Sequence, residues 1–136
     1  MADVDEVLIL GGITAVPQAI EDSLEVTYGD ADVTLLAGDD RYATAVVVAT
    51  HGVAHGLGWN RLAITTGEKF PDALAGGVLQ GRDGSVMLLT RSASLPAAVQ
   101  TALQNNRALI TEVRYLGGTT AVTQSVRDAV TAILDQ

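Results

Sequence analysis

Four polar segments follow apolar runs in the sequence, and they hold the residues that could bind a ligand. These segments are Leu36–Tyr42, Thr65–Gly77, Leu89–Pro96 and Leu116–Val122. They supply carboxylates, arginines and several hydroxyl groups, which could orient a glycan in a polar-lined site. If the apolar runs are parallel strands, their carboxyl ends share one edge of a sheet, where α/β proteins bind ligands. The spacing therefore predicts one binding surface.

Four charged residues of these segments could form an acid–base or metal-binding group: Asp40, Arg41, Glu68 and Asp72. Asp40 and Asp72, however, stand in the first turns of predicted helices, where the helix dipole stabilises a carboxylate. Arg41 can pair with either of them. We therefore expect these residues to be structural or to bind ligand, and we predict no catalytic residue.

A metal-dependent phosphoryl-transfer or nucleotide-binding domain of Toprim or Rossmann type is the alternative function. The Toprim site needs a glutamate after one strand and a DxD pair after another. Glu68 could supply the glutamate, but Asp30-Ala31-Asp32 precedes its strand. The double glycines Gly11-Gly12 and Gly117-Gly118 could bind an anion before a helix. They lack the GxGxxG and Walker patterns, which favours simple tight turns.

Two histidines stand four residues apart on one predicted helix, a spacing that suits two ligands of a single metal ion. They are His51 and His55, and the sequence shows neither an HExxH motif nor an identifiable third ligand. We therefore predict solvent-facing histidines near a helix end, no metal and no cofactor.

Five apolar runs must position the polar segments. They are Glu6–Leu10, Asp32–Leu36, Leu62–Thr65, Val86–Leu89 and Glu112–Leu116. None alternates cleanly with polar residues, so both faces of each strand are expected to be buried. Helical patterns separate the runs, and their start signals are Pro17, Asp39 or Asp40, Pro71, Ser94 and Thr123. This order predicts an α/β fold with a mainly parallel sheet.

Bulk composition limits the possible partners. The chain has 136 residues, of which 48% are hydrophobic, and this suits one compact domain. A net charge of -8 without a Lys/Arg cluster excludes a general nucleic-acid binder. The acidity is typical of adaptation to high salt or of a GC-rich genome.

No apolar stretch approaches ~20 residues, so no membrane span is expected. The absence of cysteine excludes disulfides and thiolate metal sites.

An internal repeat is the most informative feature of the sequence. Residues 7–22 align with residues 113–128, with matching Val, Leu, Gly, Gly, Thr, Ala, Val, Gln and Asp. Each copy is predicted as a strand, a double-glycine turn and a helix. The second copy begins about one domain length after the first. We therefore predict that residues 1–33 are the closing βα part of a preceding repeat, packed on the same domain or exchanged with a neighbour. Residues 34–136 then form one complete repeat.

Together these segments resemble the cell wall binding repeat 2 family. The matching stretches, in the family's order, are Leu36–Ala45, Thr66–Gly77, Leu88–Thr90 with Leu95-Pro96, and Tyr115–Val122. The resemblance implies a three-layer, Rossmann-like or Toprim-like α/β unit that occurs in threes and packs as a pseudo-trimeric ring. We therefore expect this unit to assemble either in tandem or as a homotrimer. The resemblance also implies a non-catalytic module at the cell surface that binds an anionic cell-wall or envelope polymer. Residues 1–6 lack the pattern of a secretory signal, so we expect either a cytosolic protein or a part of a longer exported chain, and the resemblance favours the second.

The resemblance and the loop residues together define the predicted binding site. Its ligand-binding residues are Asp40, Arg41, Tyr42, Thr66, Phe70, Asp72, Thr90, Arg91, Gly117, Gly118 and Thr119. A net charge of -8 does not favour a polyanion as ligand. Either Arg41, Arg91 and Arg114 form a local cationic site, or divalent cations bridge carboxylates to the polymer. The unit could also serve assembly alone.

Overall fold

Strands and helices alternate along the chain, as the sequence predicts. The computed structural model describes residues 4–136. The strands are β1 Val7–Leu10, β2 Val33–Leu36, β3 Gly58–Thr66, β4 Ser85–Thr90 and β5 Glu112–Leu116. The helices are α1 Gln18–Tyr28, α2 Arg41–Ala54, α3 Pro71–Arg82, α4 Ala97–Asn106 and α5 Gln124–Leu134. Within the described range, no helix is both long and apolar enough to cross a membrane.

Every strand pair is parallel, which confirms the predicted α/β class. Strand β1 pairs with β2, whereas β3 lies between β4 and β5. The strands thus form two parallel sheets, where the pattern of the sequence suggested one. Leu10 of β1 lines a cleft together with Met87 and Leu89 of β4, so this cleft separates the two sheets.

The core lies on one face of the three-stranded sheet. Side chains of β3 and β4 pack there against α2, α4 and α5. Leu62, Ile64 and Leu88 are fully buried in this layer, and each contributes about 1.5–3 kcal/mol through its burial. Helix α3 covers the opposite face through its small residues, since Gly76 packs against the side chains of Leu116 and Met87. The result is three layers that hold the strand ends in fixed positions.

Local signals set the boundaries of the helices that flank the polar loops. Asp40 is the N-cap of α2, because its carboxylate accepts hydrogen bonds from the N–H groups of Tyr42 and Ala43. Pro71 begins α3, as expected for a residue without an N–H group. Gly56 follows α2 with a φ of 103°, which ends the helix.

The internal repeat is also a structural repeat, but its two copies differ in burial. Gly11 and Gly117 occupy the same turn position, with φ angles of 117° and 98°. Val126 of α5 is 1% exposed, whereas Ile20 at the equivalent position of α1 is 48% exposed. Helix α1 has no buried residue at all. The first copy therefore shares the backbone of the second but lacks its helical neighbours.

Candidate functional site

The polar loops converge at the carboxyl ends of the strands. We call the turns at residues 37–40, 67–70, 91–96 and 117–123 the strand-end rim. Each follows the last residue of β2, β3, β4 or β5, respectively. Because the strands of each sheet are parallel and hydrogen bonds join the turns, the predicted segments lie at one edge of the molecule.

Arg41 joins the turn after β2 to the turn after β3. Its Nη1 atom donates a hydrogen bond to the carbonyl oxygen of Gly67 at 2.6 Å. A Cβ atom at Gly67 would lie 2.9 Å from Cε1 of Tyr42 and 3.2 Å from Cδ of Arg41. Glycine at this position therefore allows Arg41 and Tyr42 to pack against the neighbouring turn.

Arg91 joins the turn after β4 to the start of α2. Its guanidinium carbon lies 4.8 Å from the centre of the Tyr42 ring, the distance of a cation–π contact. Its Nη2 atom lies 3.9 Å from a carboxylate oxygen of Asp40. Since the Arg91 side chain is 48% exposed, it presents a positioned positive charge to solvent.

Ser92 connects a second pair of turns through hydroxyl hydrogen bonds. Its Oγ atom donates to Oε2 of Glu68 at 2.7 Å and lies 3.2 Å from Oγ1 of Thr66. These bonds from Ser92, helped by the positive charge of Arg91, lower the pKa of the Glu68 carboxyl. Our candidate residues did not include Ser92, although it lies within the segment Leu89–Pro96, because a lone loop serine gives no signal of its partners.

Two predicted threonines are buried beneath the rim. Thr66 is 1% exposed and its hydroxyl accepts a hydrogen bond from the N–H of Glu68. Thr90 is 0% exposed and its hydroxyl lies within hydrogen-bond distance of the carbonyl groups of Arg91 and Ser94. Both hydroxyls are therefore buried and stabilise the turns of the rim through hydrogen bonds to the backbone.

Asp72 meets the double-glycine turn that follows β5. A Cβ atom at Gly117 would lie 2.5 Å from Oδ2 of Asp72, so the two residues are in direct contact. Gly118 and Thr119 are exposed next to them. The N–H groups of Ala121 and Val122 both donate to the carbonyl of Gly118. Those two amides are therefore occupied within the turn, which does not support the anion-binding interpretation.

A groove lies beside the strand-end rim. Its larger part is a cleft of about 620 Å³, lined largely by apolar side chains that include Leu10, Phe70 and Leu74. A smaller hollow of about 300 Å³ is lined by Arg91 and the first residues of α4. Asp39 and Asp40 line both parts, so the two adjoin each other.

Arg114 does not join Arg41 and Arg91, which corrects the expectation of a three-arginine site. Its guanidinium group donates to Glu112 at 2.7 Å and to Asp83 at 2.5 Å. Asp83 lies between α3 and β4, at the amino-terminal end of the strands. The side chain extends away from the rim because these two carboxylates hold it at the other end of the sheet.

Both the sequence and the fold of the chain resemble those of known cell wall proteins. The family profile described as Cell wall binding domain 2 (CWB2) matches residues 36–127. The structure of Cwp8 from Clostridium difficile superimposes with a TM-score of 0.75 at 20% identity, covering 98% of this chain. Cwp6 from Clostridium difficile gives a TM-score of 0.80 at 22% identity, covering 95% of this chain. The chain matches only 21% and 20% of the lengths of those two chains. No curated protein matches the sequence.

Proposed function

The chain belongs to the Cell wall binding domain 2 family, and from this premise we propose that it is a non-catalytic cell-surface module whose strand-end rim binds a cell-wall or envelope polymer. The observation that supports this most directly is the convergence of four turns from separate strands. Arg41 with Gly67, Arg91 with Tyr42, and Ser92 with Glu68 connect three of these turns, and the N–H of Thr123 joins the fourth by donating to the carbonyl of Ser92. Because all four turns contribute to this surface, the surface forms only when the whole domain is folded.

The shape of the groove suits an extended ligand. The cleft and the smaller hollow meet at Asp39 and Asp40, and both are open to solvent on one side. A polymer chain can lie along such a depression, with apolar contacts at Phe70 and polar contacts near Arg91. The predicted residues Gly118 and Thr119 provide further exposed surface at the rim.

Local charge favours acidic groups of the polymer at two positions. Arg41 and Arg91 are exposed, and each is held by a contact with a neighbouring turn. A guanidinium held in place loses little side-chain entropy when it binds a carboxylate or phosphate. Because the chain has a net charge of -8, binding should depend on these two arginines rather than on the overall field.

Hydrolysis and phosphoryl transfer are less well supported. Asp40 caps α2, and Glu68 accepts a hydrogen bond from Ser92, so both carboxylates already have structural partners. The pair Asp30 and Asp32 forms a short 3₁₀ helix before β2, at the end of the strands opposite Glu68. We therefore do not favour the Toprim-type alternative.

We further propose that the unit functions in an assembly of three like units, either in tandem or as a homotrimer. Ile20 and Val26 of α1 are 48% and 88% exposed, whereas Val126, the counterpart of Ile20 in the second copy, is buried. Phe70, Leu74 and Val78 lie along α3 and are 74%, 68% and 77% exposed. Covering these surfaces removes apolar area from water, which favours association. Residues 1–33 then act as the closing part of a preceding repeat.

Polymer binding is tested by co-sedimentation with purified cell envelope, comparing the wild-type chain with Arg91→Ala and Arg41→Ala. We expect wild-type protein in the pellet and reduced binding for both variants, with weaker binding as salt rises. Wild-type protein that stays entirely in the supernatant would contradict the proposal. Loss of binding on adding EDTA, with the arginine variants unaffected, would instead favour divalent bridges between carboxylates and polymer.

The assembly is tested separately by light scattering of the isolated chain at low and at molar salt. We expect a trimer, and we expect the double variant Leu74→Glu/Val78→Glu to be monomeric with an unchanged circular dichroism spectrum. A wild-type monomer at high concentration in both salts would reject the homotrimer. The polymer-binding proposal does not depend on this result.

A further inference from the structure

A second cluster of polar side chains lies away from the strand-end rim. It consists of Glu6, His51 and His55, each of which offers one ligand atom within 4.8 Å of the others. The sequence predicted the helical histidine pair but no third ligand, because Glu6 is 45 residues away from His51 in the chain. The fold supplies it by placing the start of β1 beside the end of α2.

His55 is already oriented as a metal ligand. Its Nδ1 atom lies 2.8 Å from the carbonyl oxygen of His51, to which it donates when protonated at Nδ1. That hydrogen bond selects the tautomer whose Nε2 atom carries a free lone pair. Metal-bound histidines commonly make this kind of bond to a backbone carbonyl, because it fixes the ring and raises the basicity of the other nitrogen.

His51 lies one helical turn before His55, with its ring stacked on the other. The ring centroids are 4.1 Å apart and the rings are inclined by 28°. Both rings therefore occupy the same side of α2, as two ligands of one ion must. Histidines four residues apart on a helix are a recurring pair in zinc sites.

Glu6 is also held towards the cluster. Its Oε1 atom lies 3.4 Å from the hydroxyl of Thr34 on the neighbouring strand β2. Glu6 directly precedes β1, whose pairing with β2 fixes the backbone nearby. The carboxylate thus has an outer partner, as ligating carboxylates usually do.

The electrostatic setting favours a cation at this point. His51 stands in the last turn of α2 and His55 is its C-cap, where the helix dipole presents partial negative charge. The carboxylate of Glu6 adds a full negative charge. Two imidazole nitrogens with one carboxylate oxygen suit Zn²⁺ or a similar transition metal better than Mg²⁺ or Ca²⁺, which prefer oxygen ligands.

From this geometry we infer that Glu6, His51 and His55 form a three-ligand site for Zn²⁺ or a related transition metal. Water would complete a tetrahedral coordination sphere. Small side-chain rotations would bring the three atoms from their present separations to bonding distance. Since Glu6 precedes β1 and both histidines belong to α2, the ion would fasten the β1–α1 segment to the rest of the domain.

Isothermal titration of the purified chain with ZnCl₂ in a non-coordinating buffer tests the site. We expect one Zn²⁺ per chain and a loss of affinity of about tenfold or more in His51→Gln, His55→Gln and Glu6→Gln, since even outer partners of metal ligands cost 10–100-fold. Asp135→Asn, which changes an exposed carboxylate directly after α5, is the matched control and should bind like wild type. All these side chains are at least partly exposed, so the variants are expected to fold.

Amide hydrogen exchange supplies a readout that distinguishes the three-ligand site from a simple histidine pair. Zn²⁺ should slow exchange in residues 7–28 of the wild type and have no such effect in Glu6→Gln. The absence of saturable Zn²⁺ binding would overturn the inference. An unchanged affinity in Glu6→Gln, with loss in the histidine variants, would also overturn it, because the ion would then not reach the β1 segment.

Discussion

The guanidinium of Arg91 lies over the ring of Tyr42, 4.8 Å from its centre. Tyr42 is 7% exposed and belongs to the hydrophobic core beneath the rim. The positive charge of the turn after β4 therefore packs on a side chain that the core holds in place. This contact links the packing of α2 to the charge that the strand-end rim presents.

Arg91→Ala should reduce polymer binding strongly and the stability of the fold only slightly. The cation–π contact is worth about 0.5–1 kcal/mol at an exposed site, so the free energy of unfolding should fall by no more than about 1 kcal/mol. Binding to cell envelope should fall much further, because the positioned charge is lost. Arg107→Ala removes an exposed arginine at the far end of α4 and is the matched control. Equal binding by the two variants in a co-sedimentation assay would count against a role for Arg91.

Gly117→Ala should destabilise the fold, whereas Gly118→Ala should not. Gly117 has a φ of 98°, and a Cβ atom there would contact both Asp72 and Ala121. We expect a loss of about 1–3 kcal/mol for this strained position. Among residues 4–136, no heavy atom lies within 4 Å of a Cβ at Gly118, and that variant should stay within about 0.5 kcal/mol of wild type. Urea unfolding of both variants measures the difference, and equal stabilities would contradict the described turn.

Equivalent positions of the internal repeat should respond differently to truncation. Val126→Ala removes two buried methyl groups from α5 and should cost about 2 kcal/mol. Ile20→Ala should cost less than about 1 kcal/mol in the single chain, since Ile20 is 48% exposed. Thermal or urea unfolding at low protein concentration gives both values. In an assembly that covers α1, the cost of Ile20→Ala should rise towards that of Val126→Ala.

Acid should weaken the ion pairs at the amino-terminal end of the strands. Hydrogen bonds from Arg114 hold the pKa values of the Asp83 and Glu112 carboxyls below their usual values of 3.8 and 4.5. A lowered pKa in the folded state adds stability above the unfolded-state pKa, and this is lost as the pH falls through the folded-state value. The difference in the free energy of unfolding between wild type and Arg114→Met should therefore be largest near pH 7. It should shrink as the pH falls below about 4. Urea titrations at several pH values test this, with Arg107→Met as control, and a difference independent of pH would be inconsistent with it.

The sequence predicted most of the elements, because their signals are local. The apolar runs matched β1 to β5 within a few residues, and Pro71 and Asp40 marked the starts of α3 and α2. The convergence of the loops followed from the parallel arrangement of the strands alone. These features depend on residues that are close together in the chain.

What the sequence did not predict depends on packing between distant segments. A cleft beside β4 separates β1 and β2 from the larger sheet. No local sequence pattern encodes this separation. Arg114 was expected at the rim, but Asp83 lies 31 residues earlier and binds it elsewhere. The approach of Glu6 to the histidines of α2 likewise requires the tertiary fold.

Hydrogen–deuterium exchange of the chain with and without saturating purified polymer tests the binding surface directly. Slower exchange is expected in the segments 37–41, 67–70, 91–96 and 117–119, where strands from both sheets end. The turns at the other end of the strands, at residues 29–32, 55–58 and 107–111, should exchange at the same rate with and without polymer. Protection confined to those opposite turns would contradict a binding surface built from the carboxyl ends of the strands.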